Sequence, residues 1–385
     1  MPTDKKILME SLNIPIIESF DDLADELRLS RKLVYWLTIK DAHDKYKPFY
    51  IKKRSGKLRK INEPVVSLKT VQRWILRNIL EKVKCSAYSY GFNKCGHITN
   101  QGDEINDKDK PESQSPQLAV ALSHRNNLYL LKLDIKDFYP SITGKMVYLQ
   151  FREIGYNEQV SNLLTNICTW EDSLPQGAPT SAYLANLICR RMDARIAGYC
   201  NKHNIVYTRY ADDLMFSSDD RDALRHSYGV VKHIVEDEGF ILNTDKTHFA
   251  GNKSRKEVLG ITINYKRCNT PKEMKRNVRA MIHHAVATGD YSGLMRIRGY
   301  ISYISSVEGG YKKKIRGYIE SLAASDLCLH EDLVTAFNSN KVLPNLPNMV
   351  LKTKDDLRIS DLQLDQINKM RDEYMKAHMQ NEGEK

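Results

Sequence analysis

Apolar residues recur along the chain with two different spacings, and together they predict a protein that mixes helices and strands. In SLKTVQRWILRNILEKV (67–83) the apolar side chains return every three or four residues, as on one face of a helix. NNLYLLKLDIKDFYPSI (126–142) instead opens as an unbroken apolar run rich in β-type residues, which is typical of a buried strand. Asp134 lies near the end of that predicted strand.

Two segments have the pattern of a β-hairpin. In KPFYIKKRSGKLRKINEP (47–64), β-type residues flank a basic turn at 54–57, and the second strand ends at Pro64. In IVYTRYADDLMFSS (205–218), apolar residues lie on both sides of Ala-Asp-Asp. This second hairpin would carry two adjacent carboxylates at its tip.

Other periodic segments predict further helices and one more strand. Ser30 precedes RKLVYWLTI as an N-cap, so we expect short helices within 16–46. The other predicted elements are a turn and helix in 174–200, a helix in 221–240, a strand in 258–264 and mostly basic helices in 272–325. Residues 101–117 contain one large apolar side chain, Ile105, and indicate an exposed, mobile insertion.

Length and composition restrict the class of protein. A chain of 385 residues is long enough for two or three subdomains with real cores. Its seven cysteines form no CxxC pair, which argues against a disulfide scaffold or a structural zinc site and indicates reduced thiols. There is no signal-peptide core and no apolar run of about 18 residues. We therefore expect a soluble, cytoplasmic protein that has no membrane partner.

Positive charge is concentrated in one region. The chain has a formal net charge of +11, and residues 251–320 hold 15 Lys and Arg against 5 Asp and Glu. Tyrosines are interleaved with these cations, which suits contacts to phosphates and to unpaired bases. An amphipathic helical bundle with a solvated basic face would have the same composition. The side chains that we expect to contact nucleic acid are Arg276, Arg279, Arg296, Arg298, Lys312 and Lys313.

Three aspartates are placed by the predicted elements where their carboxylates can converge on one point. Two divalent cations about 4 Å apart require several oxygen ligands that converge on one point. The strand 126–134 supplies Asp134, and the hairpin supplies Asp212 and Asp213. Paired Asp residues occur elsewhere in this chain and usually mark a solvated turn, so the context of these two decides their interpretation. Asp137 should face away from Asp134 and is left out of the set.

Three segments in this order and spacing resemble the palm motifs of reverse transcriptases: LDIKDFYPSI, LPQGAPTSAYLANL and TRYADD. The resemblance covers roughly residues 45–320 and is strongest to the retron reverse transcriptases of bacteria. It implies an α+β, right-hand polymerase fold with fingers, a palm made of an antiparallel sheet plus helices, and a helical thumb. The predicted divisions are an N-terminal helical segment (1–45), fingers (46–130), palm (131–265), a basic helical thumb (266–325) and a C-terminal accessory tail (326–385).

The resemblance also implies a catalytic metal site. Asp134, Asp212 and Asp213 would be the catalytic residues and would hold two Mg²⁺ ions, or Mn²⁺ in their place. The backbone carbonyl of Ile135 would be a further metal ligand. Such ions lower the pKa of the primer hydroxyl and stabilise the leaving pyrophosphate.

Five residues match positions that bind the incoming dNTP in the family. Tyr139 matches the bulky residue that excludes a ribose 2′-hydroxyl, although it is also interpretable as a core aromatic beside Phe138. Gln176 matches a residue that touches the nucleotide. Lys57 and Arg59 would reach the triphosphate, or are simply exposed cations of a hairpin. Lys246 resembles the lysine near the pyrophosphate, with a solvated helix cap as the alternative.

Two departures from the retron pattern affect the finer assignment. Retron enzymes are similar in having Asn-Ala-x-x-His and Val-Thr-Gly elements. Here Asn100 is followed by the polar insertion, and the pattern resumes at Ala121 to His124; the triplet reads Val258-Leu259-Gly260. Another bacterial defence reverse transcriptase, or one like those of group II introns, therefore stays open.

For a retron enzyme, the resemblance implies a structured noncoding RNA that is both template and primer. Synthesis would start from an internal guanosine 2′-hydroxyl and give branched msDNA, in antiphage defence beside a separate effector protein. An RNA-dependent RNA polymerase is the nearest enzymatic rival, and Tyr139 argues against it. A rival of another class is a catalytically idle RNA-binding scaffold, against which the three aspartates argue.

Overall fold

The computed structural model describes most of the chain up to residue 323. The described residues are 3–39, 44–52, 56, 58–92, 115–288 and 292–323. The predicted accessory tail (326–385), most of the predicted insertion (101–117) and Lys57 lie outside them.

Three short helices begin the chain: α1 (Thr3–Ser11), α2 (Phe20–Leu27) and α3 (Arg31–Thr38). The Ser30 hydroxyl accepts a hydrogen bond from the Leu33 backbone N–H at 3.3 Å, which confirms the predicted N-cap. The pattern did not predict α1, in which Ile7, Leu8 and Met9 are consecutive rather than helically spaced. Of these three, Met9 alone is buried.

The first predicted hairpin is present. Its strands are β1 (Tyr46–Lys52) and β2 (Leu58–Pro64), which pair antiparallel with Tyr46 opposite Pro64. The predicted helix follows as α4 (Val66–Asn78), with a 3₁₀ turn at Leu80–Lys82. In β1 the side chains beyond Tyr46 are exposed, so both faces of the outer hairpin are open to solvent.

A four-stranded antiparallel sheet lies at the centre of the larger unit. It consists of β3 (Tyr129–Asp134), β4 (Val206–Tyr210), β5 (Asp213–Ser218) and β6 (His248–Ala250), in the order β4-β5-β3-β6. The predicted buried strand and the predicted Ala-Asp-Asp hairpin are both confirmed. β3 ends at Asp134 itself, and Pro140 lies in the short helix α6 (Phe138–Ser141).

Helices pack on this sheet, and the buried apolar side chains form one large core cluster and a smaller one that includes the helix Pro116–His124. The helices are α5 (Pro116–His124), α7 (Gly144–Ile154), α8 (Glu158–Cys168), α9 (Ser181–Ile188), α10 (Arg190–Lys202) and α11 (Arg221–Asp237). The single helix predicted in 174–200 is two helices, α9 and α10, separated at Cys189. Leu133 and Phe216 of the sheet share a core with Phe151 and Leu184 of the helices. Each such side chain stabilises the fold by about 1.5–3 kcal/mol through removal from water.

The prediction of a single strand at 258–264 is wrong in detail. The segment forms a small antiparallel hairpin of β7 (Glu257–Val258) and β8 (Ile261–Thr262). Leu259 and Gly260 have φ of 48° and 82°, and two successive left-handed residues reverse the chain. The apolar character of this segment predicted β structure, but the glycine acts as a turn residue that divides it.

Three helices follow, as the basic pattern predicted: α12 (Lys272–Thr288), α13 (Leu294–Val307) and α14 (Tyr311–Ala323). The chain divides into two compact units, Met1–Lys272 with Ile304–Gly310, and Glu273–Tyr303 with Tyr311–Lys385. The second unit includes residues outside the described part. The five divisions given above stay a prediction, since this two-part division does not separate fingers from palm. In the described part of the chain, no helix has the length and apolar character of a membrane span.

Candidate active site

The sheet register brings the three predicted carboxylates to one end of two neighbouring strands. Asp134, the last residue of β3, pairs directly with Asp213, the first residue of β5. Residues paired in this way have Cβ atoms about 4.5–5.5 Å apart, with side chains on the same face. Asp212 precedes Asp213 in the β4–β5 turn, and its carbonyl accepts the Ile135 N–H at 2.9 Å. Two aspartates at strand ends and a third in the adjoining turn therefore lie close together at one end of the sheet.

Burial and mutual repulsion disfavour full ionisation of the hairpin carboxylates. Burial raises the pKa of Asp213 to about 6, and the negative charge of Asp212 adds to the rise. Burial also raises the pKa of Asp212, with repulsion from Asp134 contributing. Carboxylates that are held together and raise each other's pKa form a site that favours a cation.

Asp134 has a cationic partner in this structure. Its Oδ2 lies 2.7 Å from the ammonium of Lys246, and its Oδ1 accepts a bond of 3.3 Å from the Asn243 amide. The Asn243 backbone N–H also donates to the Asp134 carbonyl at 2.7 Å. The pKa of Lys246 is raised by the hydrogen bond to Asp134 and by the charges of all three aspartates. Asn243 was not predicted as part of the site, although it belongs to the GFILNTDKT segment that carries Lys246.

The donor set fits hard divalent cations. Carboxylate and carbonyl oxygens are the ligands that Mg²⁺ and Mn²⁺ prefer. Within the described ranges, however, no three Asp, Glu, His or Cys side chains are gathered closely enough to hold a metal ion. The backbone register places the three aspartates together, while one Asp134 oxygen is bonded to Lys246 rather than directed at the hairpin.

Tyr139 and its neighbour Phe138 have different environments. Phe138 is buried in the core and contacts Phe240, with ring centroids 6.0 Å apart. Tyr139 is partly exposed on α6, and its pKa is raised to about 12 by burial and then by the charge of Asp212. Of the two adjacent rings, Phe138 is thus buried in the core, whereas Tyr139 is only partly buried against it and is near enough to Asp212 for the carboxylate charge to raise its pKa.

Gln176 is held against the outer hairpin. The Asn62 backbone N–H of β2 donates to the Gln176 carbonyl at 2.8 Å. At the next residue, Gly177, a Cβ would lie 2.6 Å from the Asn62 carbonyl oxygen, closer than real Cβ atoms approach. β2 also carries Arg59, an exposed cation whose charge acts on Asp212 and Tyr139. The turn and the hairpin therefore form one side of the site.

The basic residues of the helical region lie on the surface of their helices. Arg276 and Arg279 of α12 and Lys313 of α14 are exposed. Arg279 lies over the ring of Tyr318 at 5.4 Å from its centroid. Arg296 is exposed and lies 5.7 Å from the Tyr300 centroid, and Arg298 is partly buried. Lys312 is exposed as well.

Two buried polar groups under the hairpin were not predicted as functional. His124, singled out only as part of a sequence pattern, is fully buried with Nδ1 2.7 Å from Ser217 Oγ and Nε2 2.8 Å from Thr208 Oγ1. Arg209, the residue before Tyr210 in TRYADD, is also fully buried and pairs with Asp193. Asp137, in contrast, is exposed with a left-handed φ of 47°, in accord with its exclusion from the metal set.

The sequence was compared with known protein families and with curated relatives. A family model described as reverse transcriptase (RNA-dependent DNA polymerase) matches residues 51–263. The retron Ec86 reverse transcriptase of Escherichia coli is 33% identical over 316 residues, which are 82% of this chain and 92% of that protein. The retron Mx162 reverse transcriptase of Myxococcus xanthus is 30% identical, over 70% of this chain and 59% of the relative.

Solved structures give weaker matches. A telomerase from Candida albicans, in complex with a fragment of telomeric RNA, aligns with a TM-score of 0.42 and 11% identity, over 72% of this chain and 59% of that one. A foamy viral protease-reverse transcriptase in complex with double-stranded DNA aligns with a TM-score of 0.41 and 16% identity, over 78% and 45%. Likeness at this level adds nothing to the sequence matches.

Proposed function

The chain belongs to the reverse transcriptase family and is an RNA-directed DNA polymerase of the retron group, and from this premise we propose that Asp134, Asp212 and Asp213 are its catalytic residues. The observation that supports this most directly is the cross-strand pairing of Asp134 with Asp213, with Asp212 in the adjoining turn. The right-hand polymerase fold expected from the sequence agrees with the family and with the antiparallel sheet.

We propose that the same three carboxylates, with the carbonyl of Ile135, hold two Mg²⁺ ions, or Mn²⁺ in their place. When bound, such ions would activate the primer hydroxyl and neutralise charge on the leaving pyrophosphate. The raised pKa values of Asp212 and Asp213 support a cation at this position, because a cation relieves the repulsion between them.

Lys246 would serve the leaving group. Its side chain is more than half exposed while its ammonium bonds to Asp134, so the ammonium would also be able to meet a phosphate that enters from solvent. A lysine beside the reaction centre neutralises the charge that develops on pyrophosphate. Asn243 would keep Asp134 in place while Lys246 neutralises the pyrophosphate, because Asn243 bonds both the carboxylate and the carbonyl of Asp134.

The incoming dNTP would lie between the outer hairpin and the carboxylates. Arg59, and Lys57 outside the described residues, would meet its triphosphate with positive charge. Gln176, anchored to β2, would touch the nucleotide. Tyr139, which is partly exposed and close enough to Asp212 to respond to its charge, would pack under the sugar and exclude a 2′-hydroxyl.

The surface cations of the helical region would bind the nucleic-acid backbone. The residues concerned are Arg276, Arg279, Arg296, Arg298, Lys312 and Lys313. Their phosphate contacts would be independent of sequence, and the neighbouring tyrosines would stack on unpaired bases. The concentration of charge in 251–320, noted from sequence, supports this role.

We further propose that the template and primer are one structured noncoding RNA. Synthesis would start from the 2′-hydroxyl of an internal guanosine and yield msDNA in the cytoplasm, with a separate effector protein in antiphage defence. The similarity to relatives named as retron reverse transcriptases supports this reading. The altered triplet at Leu259 keeps a different bacterial reverse transcriptase as the alternative.

The double substitution Asp212→Asn/Asp213→Asn tests the catalytic assignment. We expect DNA synthesis by the purified variant on a primed RNA template to fall by at least about 1000-fold, because it lacks two of the carboxylates proposed to hold the metal ions that would stabilise the negative charge of the transition state. Asp219→Asn/Asp220→Asn is the matched control: it changes another acidic pair of the same region, and the amides can still accept the helix-capping bonds of Asp220. Undiminished synthesis by the first variant would contradict the assignment.

The nucleic acid bound to the protein in its native host tests the retron product. The protein is purified and its nucleic acid sequenced, with and without RNase and debranching enzyme. A short single-stranded DNA joined through a 2′-5′ bond to a structured RNA is the expected result. Bound RNA without such DNA would favour another group of reverse transcriptases or an idle scaffold.

A further inference from the structure

Arg209 is a fully buried guanidinium whose hydrogen bonds all stay within the protein. Its Nε and one terminal nitrogen donate to the two oxygens of Asp193, each at 2.8 Å. The other terminal nitrogen donates to Asn186 Oδ1 at 2.9 Å and to the carbonyl of Ala211 at 3.3 Å. Both charged side chains are 0% exposed. Arg209 therefore forms a buried, bidentate ion pair with Asp193. Its remaining terminal nitrogen reaches Asn186 and the turn that carries the proposed catalytic residues.

The same group connects elements that are distant in sequence. Asp193 lies on α10 and Asn186 on α9, while Arg209 lies on β4. Asn186 also accepts from Ser89 Oγ at 2.8 Å and donates to the Gly91 carbonyl at 2.6 Å. The Arg209 backbone continues this connection, since its N–H donates to the Tyr88 carbonyl at 2.7 Å and its carbonyl accepts from Tyr90. Two helices and the 88–91 segment thus converge on β4, two residues before the turn.

Ala211, which Arg209 bonds, has a conformation that needs support. Its φ of 54° lies in the left-handed region, where residues with a Cβ are strained. Ala211 precedes the proposed catalytic residues Asp212 and Asp213. The space on the other side is also closed, because a Cβ on Gly91 would lie 3.1 Å from the Ala211 nitrogen. The turn is therefore held by the Arg209 guanidinium, which bonds the Ala211 carbonyl, and by the Gly91 backbone, which packs against the Ala211 nitrogen.

We propose that Arg209, oriented by Asp193 and Asn186, is a positioning residue that fixes the Ala211–Asp212 turn and so sets where the catalytic carboxylates lie. The inference rests on the proposed catalytic role of Asp212 and Asp213. A buried ion pair is weak support for stability alone, because well-packed apolar replacements are often as stable. An ion pair that lies under a strained turn with the proposed catalytic residues is better explained by the position it imposes on that turn.

The test replaces the ion pair without leaving an unpaired buried charge. Tyr207 also donates to Asp193 Oδ1 at 2.8 Å, so Tyr207→Phe provides the background in which no hydroxyl loses its acceptor. In that background, Arg209→Met/Asp193→Leu removes both charges together and keeps similar volumes. Asn186 keeps its bond from Ser89 in the variant. The melting temperature, kcat, dNTP KM and the Mg²⁺ concentration for half-maximal activity are measured on the full-length proteins.

We expect the variant to melt within a few degrees of its Tyr207→Phe background, while kcat falls by about 100-fold, the effect of a 1 Å misplacement. The half-maximal Mg²⁺ concentration should rise, and the dNTP KM should change little. Phe151→Leu, a core substitution on α7, is the control: it should lower the melting temperature without changing kcat or the Mg²⁺ requirement. Unchanged kcat and Mg²⁺ requirement in the charge-free variant would overturn the inference.

A second variant covers the case in which the charge-free protein does not fold. Arg209→Lys keeps a cation beside Asp193 but lacks the arm that reaches Asn186 and Ala211 together. We expect this variant to fold and to show the two changes expected of the charge-free variant, a reduced kcat and a raised Mg²⁺ requirement. A folded Arg209→Lys protein with full activity would contradict the positioning role. If Asp212→Asn/Asp213→Asn were active, the catalytic assignment itself would fail, which is a separate outcome.

Discussion

At the scale of single residues, burial separates the polar side chains that can only support the candidate site from those that a substrate could reach. His124, Arg209 and Asp193 are fully buried and have their bonds satisfied by the protein. Lys246 and Tyr139 are partly exposed; the Lys246 ammonium bonds Asp134, and the charge of Asp212 raises the pKa of Tyr139. The first group can support the site, and the second can also touch a substrate.

The buried His124 predicts a specific pH dependence of stability. Burial lowers its pKa from 6.5 to about 3, so the native state binds fewer protons than the unfolded state between these values. Its contribution is fully present above pH 6.5 and is lost as the pH falls toward about 3. At pH 5 the loss should be about 2 kcal/mol relative to pH 7. Urea unfolding of wild type and His124→Asn at the two pH values measures it.

His124→Asn isolates this contribution because asparagine keeps hydrogen-bonding groups but does not titrate. Wild type should lose more unfolding free energy than the variant when the pH is lowered from 7 to 5. An equal loss in the two proteins would show that His124 does not titrate between the folded and unfolded states as its burial requires.

Sugar selectivity is the corresponding prediction for Tyr139. Tyr139→Ala opens the space under the proposed sugar position, so the discrimination between dNTP and rNTP should fall by about 10-fold or more, since a filled pocket rejects an added hydroxyl by steric contact. The kcat/KM ratio for dGTP and GTP gives the measurement. Phe138→Leu is the control, because Phe138 packs in the core; selectivity that is unaltered by Tyr139→Ala would remove the argument against an RNA polymerase.

At the scale of elements, two turns hold the site together. The β4–β5 turn carries the carboxylates, and the turn at Gly177 docks on β2 through the bond between Asn62 and Gln176. Each turn has a left-handed residue, Ala211 or Gly177, so the chain reverses sharply at both places. Contacts between these turns and their neighbours, rather than helix or strand propensity, fix the position of the residues that we propose to face the nucleotide.

Gly177→Ala should separate the Gln176 turn from the outer hairpin. The new Cβ meets the Asn62 carbonyl oxygen at 2.6 Å, and the φ of 128° is unfavourable for alanine. We expect a loss of about 2 kcal/mol or more in unfolding free energy and a higher dNTP KM. Gly198→Ala is the control, since that glycine lies in α10 with open space around it; the substitution should stabilise by about 0.5–1 kcal/mol. A neutral Gly177→Ala would contradict the docking.

At the scale of the whole molecule, charge is distributed unevenly along the chain. Residues 251–320 carry most of the net positive charge, while the carboxylates lie in the sheet of the larger unit. A polymerase needs both features, because the nucleic acid is a polyanion and the reaction centre must hold cations. The basic region and the three aspartates can both be identified from the sequence alone.

RNA affinity should therefore depend on salt through the exposed helical cations. Substituting Arg276, Arg279, Lys312 and Lys313 by glutamine should reduce the slope of log K against log salt concentration by about 3, at roughly 0.7 for each phosphate contact. Binding to a structured RNA is measured by fluorescence anisotropy at several salt concentrations. The control replaces Lys82, Lys84 and Lys202, which are exposed outside these helices. An equal reduction of the slope in both variants would contradict a localised binding face.

The sequence by itself determined the elements and the identity of the carboxylates. Helical and strand periods depend on residues close together in the chain, so β3, the Ala-Asp-Asp hairpin and the basic helices could be predicted from local pattern. The same reasoning failed at Leu259 and Gly260, where an apolar segment contains a turn. It also failed at Cys189, where one periodic segment is two helices.

Only the tertiary structure decided how the carboxylates are supported. Arg209 meets Asp193, His124 meets Ser217 and Lys246 meets Asp134 across long stretches of chain, and no local spacing announces these pairs. A buried polar group must find its partner inside the protein, and that partner is chosen by the packing of whole helices on the sheet. The places of the three carboxylates in their strand and hairpin could therefore be predicted from the sequence, whereas the contacts that hold them required the fold.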